Sequence, residues 1–421
     1  MNSIVIRSVE IIDPSSELHG TVRSILIEDG IIKKISEKEL QADTIIQGRG
    51  LKVSIGWMDM GVATGDPGHE YKEDLYSVSD AAAQGGFTAN AVMPNTTPPI
   101  QTKESVEYIK SKTRGNIIDV YPVASLTVNN KGEELTEIRD MHSAGAIAFS
   151  DGTKPIWHSD LLLRALLYMQ PINTQLIVHA EDKYLSHGGQ MNEGKTSTML
   201  GLKGNPKISE EISVERDLSI LSYTGGKIHF AHISSPKSLE LIKEAKKKGL
   251  NVTCDIAGYQ LVLDDTLLTS FDTNLKVNPP LRGKKDIEQF WKYLADGTID
   301  VIVSDHQPQD SESKELEFDQ ADFGMIGLET LFGFVNANNS KVELSKLIEK
   351  ITTAPRVVLG ISIPEIKVGA AANLTVFDSQ QDWTLTKDKL RSKSVNTPLL
   401  GKNLKGRAVA VINNKQVTII S

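Results

Sequence analysis

The chain has 421 residues and a single cysteine, Cys254, so no intrachain disulfide can form, which suits a reducing compartment. Positive charge is also scarce. Lys and Arg number 46 against 54 Asp and Glu, leaving a net charge of −8. That balance argues against nucleic acid as a main partner, because phosphate binding needs a concentrated basic surface. No apolar run approaches the roughly 20 residues needed to cross a bilayer, so no membrane partner is expected. The opening MNSIVIRSVEIIDP alternates like a strand and lacks the basic start and apolar centre of a signal peptide. A cytoplasmic protein is expected. Internal repeats and low-complexity tracts are absent too, and no Gly-x-Gly-x-x-Gly follows the first strand of the central region, which disfavours a doubly wound nucleotide-binding sheet.

What remains is β texture at both ends and an alternating pattern between them. Residues 1–52 carry SIVIRSVEI, VRSILIEDG, IIKKIS and TIIQGRGL, with glycine turns. Residues 368–421 carry ANLTVFD and RAVAVINNKQVTII, with Asn-Asn-Lys as a hairpin signal. The two ends are expected to meet as one small β-sandwich. Across residues 53–367, short apolar runs alternate with amphipathic helical stretches. The runs are 54–60, 87–93, 119–125, 146–150, 175–180, 227–233, 252–257 and 300–306. Eight strand–helix units over about 310 residues predict an α/β fold, a (β/α)8 barrel. Two polar stretches, 187–206 and 307–324, are expected to be long loops after the fifth and eighth strands, the latter mobile.

Barrel enzymes place chemistry at the carboxyl ends of their strands. Four ends carry metal-ligand residue types: Asp151, His179, His232 and the pair Asp305-His306. Imidazole and carboxylate suit zinc or a similar ion, which lowers the pKa of bound water to about 7. Taken singly each has a plainer reading. Asp151 closes a turn, His179, His232 and His229 are satisfied core groups, and Cys254 is an inert thiol in a strand. Four at matching ends make a cluster the stronger reading.

The segments GWMDMGV…DPGHEYKEDLYSVSDAAAQGGFTANAVMPNTTPPI, VHAED, MNEGKTSTMLGLKGNP, AHIS, KVNPPLR, SDHQP and FGMIGLET span nearly the whole chain. They resemble the amidohydrolase superfamily and, within it, the type I dihydroorotases of pyrimidine biosynthesis. The resemblance implies a metal-dependent cyclic amide hydrolase whose terminal sandwich accompanies the barrel. It also implies losses. Family members begin the first strand with His-x-His and an Arg that grips the substrate carboxylate; here those positions are Gly61, Ala63 and Gly65. The family's Thr-Pro-His-His is Ala257-Gly258-Tyr259-Gln260, and a substrate-contacting His is Gln309. What the resemblance leaves is Asp151, His179, His232 and Asp305 as remnant metal ligands, Asp305 also as a remnant base, with Asn95, Asn278 and Arg282 around a substrate pocket. Plainer readings stay open: Asn95 closes a turn, Asn278 caps a loop, Arg282 pairs with an acid, and His69 and His306 are scaffold groups.

The expectation is therefore a dihydroorotase-like protein without normal activity, a structural or regulatory partner of aspartate carbamoyltransferase and a homodimer by family habit. The alternative is an active dihydroorotase, or a related cyclic amidohydrolase, using one zinc ion held by Asp151, His179 and His232. A pocket kept to sense a pyrimidine precursor is a third reading.

Overall fold

In the computed structural model, which describes residues 3–420, the amino-end pattern becomes β1 (Ile4–Ile11), β2 (Val22–Glu28), β3 (Ile31–Ser36), β4 (Thr44–Ile46) and β5 (Lys52–Ile55). The barrel strands begin with β6 (Trp57–Val62), β7 (Phe87–Val92), β8 (Asp119–Ser125), β9 (Ala148–Ser150) and β10 (Gln175–His179). Two short strands, β11 (Met191–Asn192) and β12 (Gly204–Asn205), pair with each other in the loop after β10. The barrel resumes with β13 (Ile228–Ala231), β14 (Val252–Ala257) and β15 (Val301–Val303). The chain ends in β16 (Leu374–Thr384), β17 (Asn403–Asn413) and β18 (Gln416–Ile419).

The barrel strands run parallel in the order β6-β7-β8-β9-β10-β13-β14-β15. Val62 bridges His306, and the Ala63 N–H donates to the His306 carbonyl at 2.8 Å, closing the ring. Helices with local start signals return the chain between strands. Asp74 caps helix Leu75–Gly85 through the Tyr76 and Ser77 amides, Thr102 caps Lys103–Lys112, and Ser235 caps Pro236–Lys247. The eight-strand α/β barrel read from the alternating pattern is the fold observed.

Strands from both ends of the chain join in one hydrogen-bonded sheet, β18-β17-β16-β5-β1-β2-β3, with β4 beside β1. Its apolar face mixes Ile4, Ile6 and Val53 with Leu374 and Ile412, so neither end buries its side chains alone. The run 54–60, read as one strand, is two. At Gly56 the chain leaves the terminal sheet and enters the barrel, and a Cβ there would lie 2.0 Å from both Asn373 Oδ1 and Thr88 Oγ1. Next to this joint the Trp57 ring is fully buried against Phe87, Phe332 and Phe377, and its Nε1 donates to Ser54 Oγ at 3.0 Å.

The 307–324 segment, expected to be mobile, is tied down. The buried Lys276 ammonium donates to the Asp319 and Ala321 carbonyls, and that of Lys314 to those of Asp322 and Gly324. Four carbonyls on two cations fix a loop whose composition reads as free.

Two measurements check this packing. Trp57→Ala should cost about 3–5 kcal/mol in urea unfolding, because a large aromatic leaves a void at the joint. Burial pushes the Glu329 carboxyl, which accepts from the Arg391 N–H, up to about 8 from 4.5. Between those pH values the folded chain keeps a proton that the unfolded chain has released, so stability falls as pH rises through the window. Glu329→Gln should flatten that part of the stability–pH curve.

Candidate functional site

The carboxyl ends of the barrel strands open onto two adjoining cavities. The inner one, about 210 Å³, is lined by Gly61, Ala63, Gly65, Asn95, His232 and Asp305 among others. The outer one, about 670 Å³, shares Thr153, Asp305, Gln307 and Gln309 with it.

The inner cavity is held in an unusual backbone geometry. His232, just past β13, and Asp305, just past β15, have φ of 56° and 47°, in the left-handed region that non-glycine residues seldom occupy. The His232 amide donates to Asp255 Oδ1 at 2.6 Å, which fixes the first; Asp255 also accepts from His229 Nε2 at 2.9 Å. His229 is thus a scaffold group, as is His306, which is fully buried with its Nε2 3.4 Å from Glu73.

Asp305 is engaged on both oxygens. The Tyr259 hydroxyl donates to Oδ2, and Gln307 Nε2 donates to Oδ1 at 2.7 Å. His232 Nε2 lies 3.6 Å from Oδ1 without a hydrogen bond of its own. Burial beside Asp305 pushes the Tyr259 hydroxyl well above its ordinary value, so it remains a donor. His179 meets Asn278 Nδ2 and Glu181 through Nε2 at 3.3 and 3.4 Å, while its buried Nδ1 has no partner. Those contacts pull the Glu181 carboxyl down to about 2.

Asp151 departs from the expectation. Its carboxylate turns to Thr127, accepting from the amide at 2.8 Å and the hydroxyl at 2.6 Å, and burial raises its pKa to about 6. Among the described residues no three or more His, Cys, Asp or Glu side chains form a group able to hold an ion. The set Asp151, His179 and His232 expected for a single zinc is therefore not assembled. A catalytic zinc needs three protein ligands. Two unpartnered imidazole nitrogens, with both carboxylates engaged elsewhere, do not fit one.

Arg282 also departs from it. The guanidinium is buried outside both cavities, donating to Ser234 Oγ, Asn192 Oδ1 and the Asn205 carbonyl, so it fastens β11 and β12 to the β13 end. Asn278 does line the outer cavity. Asn95 lines the inner one while bridging the Asp151 carbonyl and the Thr153 amide. Gln309 lies in both and accepts from Lys72 Nζ at 2.6 Å. His69 stands at the inner cavity with Nε2 3.0 Å from Thr97 Oγ1.

Two of the three small residues of the first strand end, Gly61 and Gly65, are packed, while Ala63 is half-buried at the cavity. A Cβ on Gly61 would sit 3.1 Å from His232 Nε2 and 3.2 Å from Val303. At Gly65 it would sit 2.0 Å from the His69 carbonyl oxygen and 2.9 Å from that of Glu73. Gly65 N–H donates to Glu73 O at 2.8 Å, and His69 N–H to Gly65 O, so the 65–73 loop has folded onto the glycine. Tyr259 and Gln307 as donors to Asp305, and Thr127 as the partner of Asp151, were missed by the sequence reading. The signal for Gln307 was its place two residues past Asp305.

Comparison with known proteins agrees with this architecture. The family profile described as Dihydro-orotase-like matches residues 51–238. The chain is 39% identical over 420 residues to the dihydroorotase of Citrifermentans bemidjiense and 40% identical over 421 residues to that of Acetivibrio thermocellus, each alignment covering 99% of both chains. Among solved structures, L-hydantoinase (dihydropyrimidinase) from Arthrobacter aurescens superposes with a TM-score of 0.87 at 24% identity, covering 100% of this chain and 96% of that one. At that identity the likeness speaks for the fold.

Two substitutions test the packing of the mouth. Gly65→Arg should destabilise the fold by about 1–3 kcal/mol, because its side chain must enter space filled by backbone. Tyr259→Phe should cost about 1–3 kcal/mol by leaving a buried carboxylate oxygen without its donor. Both are read from denaturant midpoints at constant slope.

Proposed function

The chain belongs to the dihydroorotase family, and we propose that it is a member whose barrel mouth does not interconvert carbamoyl aspartate and dihydroorotate. Opening a cyclic amide at neutral pH needs a hydroxide equivalent, which a bound metal supplies by lowering the pKa of water from 15.7 to about 7. The donors left here fall short of that. A metal-free general base contributes only about 10²–10⁴-fold, and the candidate base, Asp305, already accepts on both oxygens.

Substrate anchoring fails at the same strand end. With Gly65 in place of an arginine, no guanidinium grips a carboxylate, and charge-assisted bidentate contacts are the strong ones. The single observation that carries the reading is the packing at Gly65: its missing side chain is replaced by the His69 and Glu73 carbonyls, so the vacancy is structurally filled. Such a chain serves as a structural or regulatory partner. Aspartate carbamoyltransferase, the preceding enzyme of the pathway, is the partner proposed, with a homodimer of this chain as the unit that docks. Support for that partner comes from the family resemblance alone.

A second reading has one observation in its favour. His179 Nδ1 and His232 Nε2 are both buried without a partner, the state expected of ligands to a missing ion. A reduced single-metal dihydroorotase would use them.

Assay of the pure protein in both directions, with and without added zinc, separates the two. The expected result is no turnover above buffer and less than one metal per chain. Metal-dependent conversion that disappears in Asp305→Ala would overturn the proposal. For the partner, the two proteins should co-elute on gel filtration; separate elution at micromolar concentrations counts against docking.

A further inference from the structure

We infer that the outer cavity is a binding site for a phosphorylated small molecule, a nucleotide or a sugar phosphate. This goes beyond the loss of hydrolysis and does not depend on it.

The cavity wall carries Lys131, Lys154 and Lys183 in a protein of net charge −8. Among the described residues none of the three has a carboxylate within ion-pair distance. The acids on the same wall are already engaged. Glu181 accepts from Asn205 at 2.9 Å and Asn278 at 3.3 Å, Asp305 accepts from Tyr259 and Gln307, and Asp322 accepts from Lys72 at 3.2 Å. Asn205, Asn278, Tyr259 and Gln307 are neutral donors that leave Glu181 and Asp305 charged, whereas the three ammonium groups have no carboxylate partner. An anion is drawn to the lysine side of such a cavity.

Lys131 and Lys154 are exposed at the cavity rim, and Lys183 is half-buried. Trp157 Nε1 donates to the Lys131 backbone carbonyl at 3.1 Å, and the Lys183 ammonium sits 3.2 Å from the Trp157 ring centroid. A half-buried ammonium held on an aromatic face is pre-positioned for an incoming phosphate.

Size and chemistry together select the class. A volume of about 670 Å³ falls in the range of sites that enclose drug-sized molecules and exceeds what a small dicarboxylate fills. Three ammonium groups match the roughly two charges and three oxygens of a phosphate monoester.

Titration calorimetry on the full-length protein with adenosine monophosphate, uridine monophosphate, ribose phosphate, inorganic phosphate and succinate tests this. Saturable binding of the phosphate esters is expected, tighter than that of inorganic phosphate or succinate and weakened by salt. The double variant Lys131→Gln, Lys183→Gln should lose at least roughly tenfold in affinity, with Lys154→Gln losing less and unfolding midpoints unchanged. Nucleotides binding tighter than ribose phosphate identify a nucleotide site; equal affinity identifies a sugar-phosphate site. No saturable binding up to about 10 mM, equal affinity in the variants, or succinate binding as well as the esters would overturn the inference. Hydrolytic turnover, if found, would overturn the preceding proposal and leave this one standing.

Discussion

The closure of the barrel between β6 and β15 rests on one buried carboxylate. Asp59, fully buried in β6, accepts from the Ser304 amide across the seam at 2.7 Å and from the Gly61 amide in its own strand at 2.8 Å. Burial raises its pKa, and the Ser304 and Gly61 amides that meet its two oxygens offset only part of that rise. The geometry it fixes is that of the mouth. Gly61 and Ser304 lie beside each other, Val62 bridges His306, and Asp305 is carried to the rim between them. A carboxyl group at this depth with one donor missing costs more than the hydrogen bond it loses, because its oxygen has no water to turn to. The seam therefore couples the small residues of the first strand to the charged residue of the last.

That coupling explains why the mouth is internally satisfied. In a low-dielectric site every polar group must find a partner, and those with none are expensive. Asp305 uses Tyr259 and Gln307, Asp151 uses Thr127, and Glu181 uses Asn205 and Asn278. Each pairing supplies a proton donor from the protein itself. Three imidazole nitrogens are left out, His179 Nδ1, His232 Nε2 and His306 Nε2, and they mark where the network falls short. The residues that complete the network are uncharged donors, so the carboxylates are met by hydrogen bonds and not by cations.

Much of this was legible in the sequence. The alternating runs revealed the eight barrel strands, because a parallel sheet buried on both faces must be apolar throughout, and runs such as VTCDIA and DVYPVAS have no other use. Texture at the two ends revealed the terminal sheet, though the change of sheet at Gly56 was not visible, since a glycine required by close approach looks like any other glycine. At the site, the strand-end rule located Asp151, His179, His232 and Asp305. It did not reveal the direction each side chain takes. Thr127 and Tyr259 lie 24 and 46 residues from the carboxylates they satisfy, so spacing carries no trace of them. Arg282 was read as a pocket residue from the family resemblance, which does not fix side-chain direction: a guanidinium there suits a substrate and three protein acceptors equally.

The packing at Gly65 bears on whether the mouth could be made into a metal site by adding side chains. Placing imidazoles at Gly61 and Ala63 would bring new donors to His232, yet the space beyond Gly61 is bounded by Val303 and His232 at little more than 3 Å. An arginine at Gly65 meets backbone, which cannot swing aside as a long side chain can. The 65–73 loop would have to release the Gly65–Glu73 hydrogen bond, and Glu73 is itself tied to His306 and to Ser392 near the carboxyl end. Ser392 lies in the segment that Glu329 holds through Arg391. Opening the mouth therefore means loosening contacts that run from the first strand end to the carboxyl-terminal segment.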